Sequence, residues 1–342
     1  MPVDAEITVL AFDERFSEFE QSLLVEVARR QVQPPTLKTL LAFVGKPVGQ
    51  VQEYARTSRL AVLRRVVSGV DEKIMQALVR AVDIARKTDF TRHPRELLHD
   101  NGYPAEALSG QNLELCDFIA RKTRLRNSVA LGSQGAGFGA LCSLAEMTPF
   151  TALTLPAIIL SDVMLSITLL ARNTAQIAAC YGFDARAPEF IPHILAAMVP
   201  QAYTGDEGYL VSKTVLLNAV RESSRFLAQN AGRTISQKAF EKNAPQLLRI
   251  MQAVAARLGV VLAEKEMALL MPVLGAALNG SLNIAFQRLG HITAMDYFRV
   301  LVLEEKYGRD AVQRELARRR EQARMQMGQQ VATGRSTAGA KE

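Results

Sequence analysis

The sequence predicts an all-α protein, a multi-helix bundle with two long apolar central helical segments. Three observations carry that prediction. The apolar 49% of the 342 residues comes mainly from Ala, Leu, Val and Met, with 6% aromatic residues and almost no β-rich run. Apolar positions recur at three- and four-residue spacing through most of the chain, the period of one helix face. Two stretches, 150–171 and 267–286, are apolar on all sides, as helices at the centre of a bundle are. A chain of this size buries roughly three quarters of its extended surface, enough for one large core or two packed subdomains. This composition excludes intrinsic disorder, collagen and a disulfide scaffold.

Taken in order, 14–31 reads as an amphipathic helix on Phe16, Phe19, Leu23 and Val27, stopped by Pro34 and Pro35. Segment 1–34 is therefore set apart as an N-terminal amphipathic helix. A second helix is predicted over 36–44, and Gly45, Pro47 and Gly49 punctuate the chain after it. Segment 58–88 carries an apolar stripe with an Arg- and Lys-rich opposite face, and Ser68-Gly69 is expected to break it into two helices. The turn formers of 89–110, among them Pro94, Asn101, Gly102 and Pro104, predict a surface connection. A short helix over 111–123 ends in the densest basic cluster, Arg121, Lys122, Arg124 and Arg126.

From 127 to 180 the only charged residues are Glu146, Asp162 and Arg172. As one helix, 150–171 would be about 33 Å long, formally enough to cross a bilayer, but Pro156 and Asp162 interrupt it. Helices are expected near 190–199, 209–229, 235–257 and 264–270. After Glu304 a polar helix with Arg318, Arg319 and Arg320 is expected, then a disordered tail from about Gly328, in a C-terminal segment 311–342. Two Tyr-Gly pairs, 181–182 and 307–308, read as glycine caps closing helices.

Among the motifs, the glycine run at 132, 135, 137 and 139 lacks the Gly-Lys-Ser/Thr ending of a phosphate loop and does not follow a strand. Gly135 and Gly139 instead form a small-residue face for close helix approach, equally suited to core and membrane packing. Asp162, Ser166, Asn173 and Gln176 fall on one strip of an apolar helix. That strip is either a polar seam lining a lipid or ligand groove, or a set of buried groups bonded to neighbouring helices. Asn279 and Asn283, one turn apart on the second apolar stretch, are placed to meet it. His93, His99, His193 and His291 have no metal-ligand spacing, and no G-x-S-x-G nucleophile elbow occurs. No catalytic residue, metal or cofactor is assigned.

Cys116, Cys142 and Cys180 are odd in number and free of CxxC pairs, consistent with a reducing compartment. The acidic first twenty residues are the opposite of a signal peptide, so a cytoplasmic location is expected. A net charge of +7 invites a nucleic-acid reading, but the basic segments lack interleaved aromatics, and nucleic acid is not expected as a partner.

The ordered set of Gly132 to Gly139, Ile177 to Asp184 with its Tyr181-Gly182, Met271 to Asn279 with Pro272 and Gly275, and Tyr297 to Gly308 resembles the EcsC protein family over roughly 35–310. One departure is Glu146-Met147-Thr148-Pro149, where an Asp-Leu-Pro-like turn is expected. The resemblance implies a helical bacterial protein, cytoplasmic or at the membrane, from a family associated with an ABC-transporter locus. No catalytic mechanism is carried over.

The expected function is therefore non-enzymatic, with peripheral association at the inner membrane. Gly135, Gly139, Pro156, Asp162, Asn173, Pro272, Gly275, Asn279 and Asn283 would form the lipid, membrane or ligand groove. Arg121, Lys122, Arg124 and Arg126 would meet an anionic membrane surface or lipid, and a membrane transporter is the implied protein partner. The alternative is a soluble helical enzyme or ligand-binding protein that takes a lipid-like substrate into an interhelical cavity.

Overall fold

A computed structural model of the chain describes residues 13–35, 60–104, 108, 112–124, 127, 151–199, 207–230, 246–255, 258 and 275–338. Every regular element among these residues is helical and none is a strand, so the protein is all-α. The helices are α1 (Glu18–Val32), α2 (Leu60–Lys87), α3 (Arg92–Asp100), α4 (113–124), α5 (Thr151–Cys180), a 3-10 turn at Pro188–Phe190, α6 (Ile191–Ala197), α7 (Glu207–Asn230), α8 (246–255), α9 (Gly275–Tyr307) and α10 (Arg309–Ala338). Two compact units result. One contains 1–34, 202–205 and 299–342; the other contains 35–201 and 206–298.

In the smaller unit α1 packs on α10. Ser17 caps α1 reciprocally: its hydroxyl accepts from the Glu20 amide at 3.3 Å, and the Glu20 carboxylate accepts from the Ser17 amide at 2.8 Å. The same carboxylate takes the Lys306 ammonium at 2.8 Å and the Tyr307 hydroxyl at 2.7 Å. Burial alone would raise the Glu20 pKa, but those two donors and the Ser17 amide together hold it below the ordinary glutamate value. Glu26 pairs with Arg299 at 3.3 Å, and on α10 Glu315 holds the buried Arg319 at 2.6 Å.

In the larger unit α2 packs along α5, and α6 packs on α7. The core there joins Ile74, Leu78 and Ala81 of α2 to Val163, Ile167 and Leu170 of α5, with Leu195, Val220 and Phe286 completing it. Closure of α5 follows the glycine-cap rule. Gly182 has φ 87°, its amide donates to the Ala179 carbonyl, and the Phe183 amide donates to the Ala178 carbonyl. Gly308, at φ 82°, closes α9 by donating to the Glu304 carbonyl.

Three sequence expectations are corrected. Helix α2 runs unbroken through Ser68 and Gly69, because a local glycine cost of about 1 kcal/mol is small beside the burial of its Ile74, Ala77 and Leu78. Residues 92–100 form α3 rather than open connection: Pro94 sits in the first turn, where a missing amide costs no helical bond, and Leu98 is fully buried. Finally, α10 continues to Ala338, ten residues past Gly328, since propagation adds one hydrogen bond per residue fixed. The predicted helices over 36–44 and 264–270 lie outside the described residues.

Candidate functional site

The 20-residue segment Ser161–Cys180 of α5 is long and apolar enough to cross a membrane, yet 72% of it is buried inside the protein. Its partner along the polar strip is α9. Ser166 Oγ donates to Asn283 Oδ1 at 3.2 Å, and Asn283 Nδ2 reaches Asp162 Oδ1 at 3.5 Å. One turn on, Asn173 Nδ2 donates to Gln287 Oε1 at 3.0 Å while Gln287 Nε2 donates to the Ser166 carbonyl at 2.9 Å. Gln176 accepts from Asn127 at 2.8 Å. All the α5 and α9 members of this ladder are buried. Of the polar groups that the four-, seven- and three-residue steps placed on one strip, Asp162, Ser166 and Asn173 thus bond α9, and Gln176 bonds Asn127.

The two helices come close because α9 has no side chain at Gly290. A Cβ built there would lie 2.0 Å from Leu170 Cδ1. One residue further, His291 is 1% exposed and neither ring nitrogen has a hydrogen-bond partner. Burial first, then the charge of Arg124, lowers its pKa to about 4, so the ring is neutral at pH 7.

Of the residues expected in the groove, Asp162, Asn173 and Asn283 meet in this ladder. Pro156, Gly275 and Asn279 lie on α5 and α9, with only the backbone described. Gly135, Gly139 and Pro272 fall outside the described residues. Sequence reasoning misses Gln287, although it lies one turn beyond Asn283. It also misses Gly290, whose packing role no local signal announces.

A second polar group assembles where α6, α7 and α9 meet. His193 Nδ1 lies 2.8 Å from the Tyr297 hydroxyl, and its Nε2 lies 3.2 Å from Ser224 Oγ. Aromatic rings surround this histidine: Phe190 at 6.5 Å and Tyr297 at 6.0 Å between centroids, with Phe183 and Phe298 behind them. Burial, with the charge of Arg221, lowers the His193 pKa to about 4. These residues come from three separated segments, which is why no spacing rule flags them.

On α4 the basic cluster is partly engaged within the chain. Arg121 Nε donates to the buried Asp117 at 2.7 Å, and Asp117 also accepts from the Tyr181 hydroxyl at 2.9 Å. Lys122 donates to Asn101 at 2.6 Å and lies 4.6 Å over the ring of Phe118. Phe118 is 40% exposed, and Tyr103, two residues after Asn101, is 45% exposed. Arg126 falls outside the described residues.

Charge is divided unequally between the units. The smaller unit has 13 Lys and Arg against 13 Asp and Glu, and the larger has 28 against 21, so the whole net charge of +7 belongs to the larger. Among the described residues no group of three or more metal-ligating side chains lies together.

The fold and these clusters define a class: an all-helical protein whose apolar central helix is buried and tied to its neighbour by a polar ladder. The chain belongs to the EcsC protein family, whose model matches residues 50–303, a span that includes α2 to α8 and most of α9. No curated protein and no solved structure matches the chain.

Proposed function

We propose that this EcsC-family protein associates peripherally with the anionic, cytoplasmic face of a membrane through the larger unit. The observation that carries the reading is an exposed aromatic paired with cations on α4: the Phe118 ring lies under the Lys122 ammonium and one helical turn before Arg121. Amphipathic aromatics next to lysines and arginines are the side chains that suit a headgroup region. With Asp117 set against Arg121, the cluster keeps about two positive charges, worth about 2 kcal/mol near an anionic surface. Partial burial of Phe118 adds about 1 kcal/mol. A sum near 3 kcal/mol gives weak, reversible binding, as expected for a surface protein that serves a membrane transport system.

Flotation of the full chain with phosphatidylserine-containing and neutral vesicles tests the reading. Binding is expected to the anionic vesicles at low salt, weakened by Phe118→Ser and by Lys122→Gln. Absence of flotation with either vesicle would overturn it. A second reading, lipid taken into the α5–α9 seam, is disfavoured because the polar groups of that seam bond each other.

A further inference from the structure

The His193 cluster is arranged for chemistry that the membrane reading does not use. A histidine bridging a serine hydroxyl and a phenol has two faces with different tasks. If Nδ1 carries the proton and donates to the Tyr297 oxygen, the Nε2 lone pair points at Ser224, the arrangement of a general base beside a nucleophile. Ser224 and Tyr297 are both half-buried residues. The rings of Phe190 and Tyr297 flank the histidine as apolar walls.

We propose that Ser224, His193 and Tyr297 form a nucleophilic relay that hydrolyses carboxylic esters with apolar acyl groups. Ser224 Oγ bonds to the ester carbonyl carbon while its proton passes to His193 Nε2. The carbonyl oxygen takes up the electron pair and returns it when the intermediate collapses. Collapse breaks the ester C–O bond, and the leaving alcohol takes the proton from His193. Water then attacks the acyl group with its proton passing to Nε2, and the acid departs as Ser224 is restored. Tyr297 is a positioning residue: as acceptor for Nδ1–H it fixes the tautomer that leaves Nε2 free to take a proton. This departs from the non-enzymatic function expected from the sequence, and the aromatic walls are what select an apolar acyl group over a small polar one.

The test uses the full chain without vesicles, so its outcome is independent of membrane binding. A fluorophosphonate probe and 4-nitrophenyl butyrate are offered at pH 7, with peptide mapping of the adduct. One adduct at Ser224 is expected, with ester turnover. Both should vanish in Ser224→Ala and fall about 100-fold or more in His193→Gln. Tyr297→Phe should slow labelling while leaving KM unchanged, and the same thermal melt in each variant shows the fold intact. The proposal is overturned if the wild-type chain acquires no adduct at Ser224, or if His193→Gln labels at the wild-type rate. Equal turnover of 4-nitrophenyl acetate and butyrate would overturn the assignment of an apolar acyl group.

Discussion

Replacing Gln287 by Leu would sever two links between α5 and α9 at once, orphaning the Asn173 amide and removing the side-chain donor from the Ser166 carbonyl, which keeps its place inside the α5 helix. A buried polar group deprived of its partner costs about 1–3 kcal/mol and the second lost hydrogen bond about 1 kcal/mol, so the single change should destabilise the larger unit by about 2–4 kcal/mol. Asn173→Leu leaves Gln287 Oε1 buried and unpaired, at about 1–3 kcal/mol. When both are Leu, the mutual orphans disappear and apolar surface fills the same space. The double variant should then be less damaged than the two losses added, with a coupling of about 2 kcal/mol. Urea unfolding followed by far-UV circular dichroism gives the four free energies. The m-value is checked for constancy because two compact units need not unfold together. Additive losses, with coupling under about 0.5 kcal/mol, would refute the idea that the ladder is a mutually satisfied set.

Gly290→Ala puts a methyl group 2.0 Å from Leu170 Cδ1, and the overpacking cost of about 1–3 kcal/mol should outweigh the helix-propensity gain of about 1 kcal/mol. The melting temperature should fall, and Leu170→Ala in the same chain should relieve the clash; a raised melting temperature for Gly290→Ala refutes the contact. Acid sensitivity should follow from His193 and His291, whose folded pKa values of about 4 lie below their ordinary 6.5. Between those values the unfolded chain binds more protons, so stability is complete above about pH 6.5 and is lost as pH falls toward 4, by about 3 kcal/mol for each ring. His291→Leu should flatten the slope of stability against pH between 5 and 6.5, measured by urea midpoints, and an unchanged slope would show that the ring is not buried neutral.

Much of the fold is legible because helices have a period. The α1 stripe, the α5 strip of Asp162, Ser166, Asn173 and Gln176, and the caps at Gly182 and Gly308 all follow from local spacing and from the positive φ that glycine tolerates. Local reasoning fails where tertiary packing decides. Ser68-Gly69 and Gly328 have the composition of breaks but do not act as breaks, because glycine's propensity cost is smaller than the gain from continuing a packed or propagating helix. The Ser17–Glu20 capping box stands in the sequence as S-x-x-E, yet the link from Glu20 to Lys306 and Tyr307 spans nearly the whole chain. His193, Ser224 and Tyr297 carry no common period at all.

The geometry also argues against the apolar segments as the site of the proposed membrane contact. Were α5 to leave the core for a bilayer, Asp162 would lose Asn283, and Asn173 would lose Gln287, in a medium that offers neither a replacement. The basic α10 is no better placed to provide the contact, since its unit is electrically balanced and Glu315 already holds Arg319. Charge available to an anionic surface therefore lies in the larger unit. There the described basic helix α4 brings the exposed Phe118 ring and the Lys122 ammonium together, so the proposed surface contact needs only side chains that already face water.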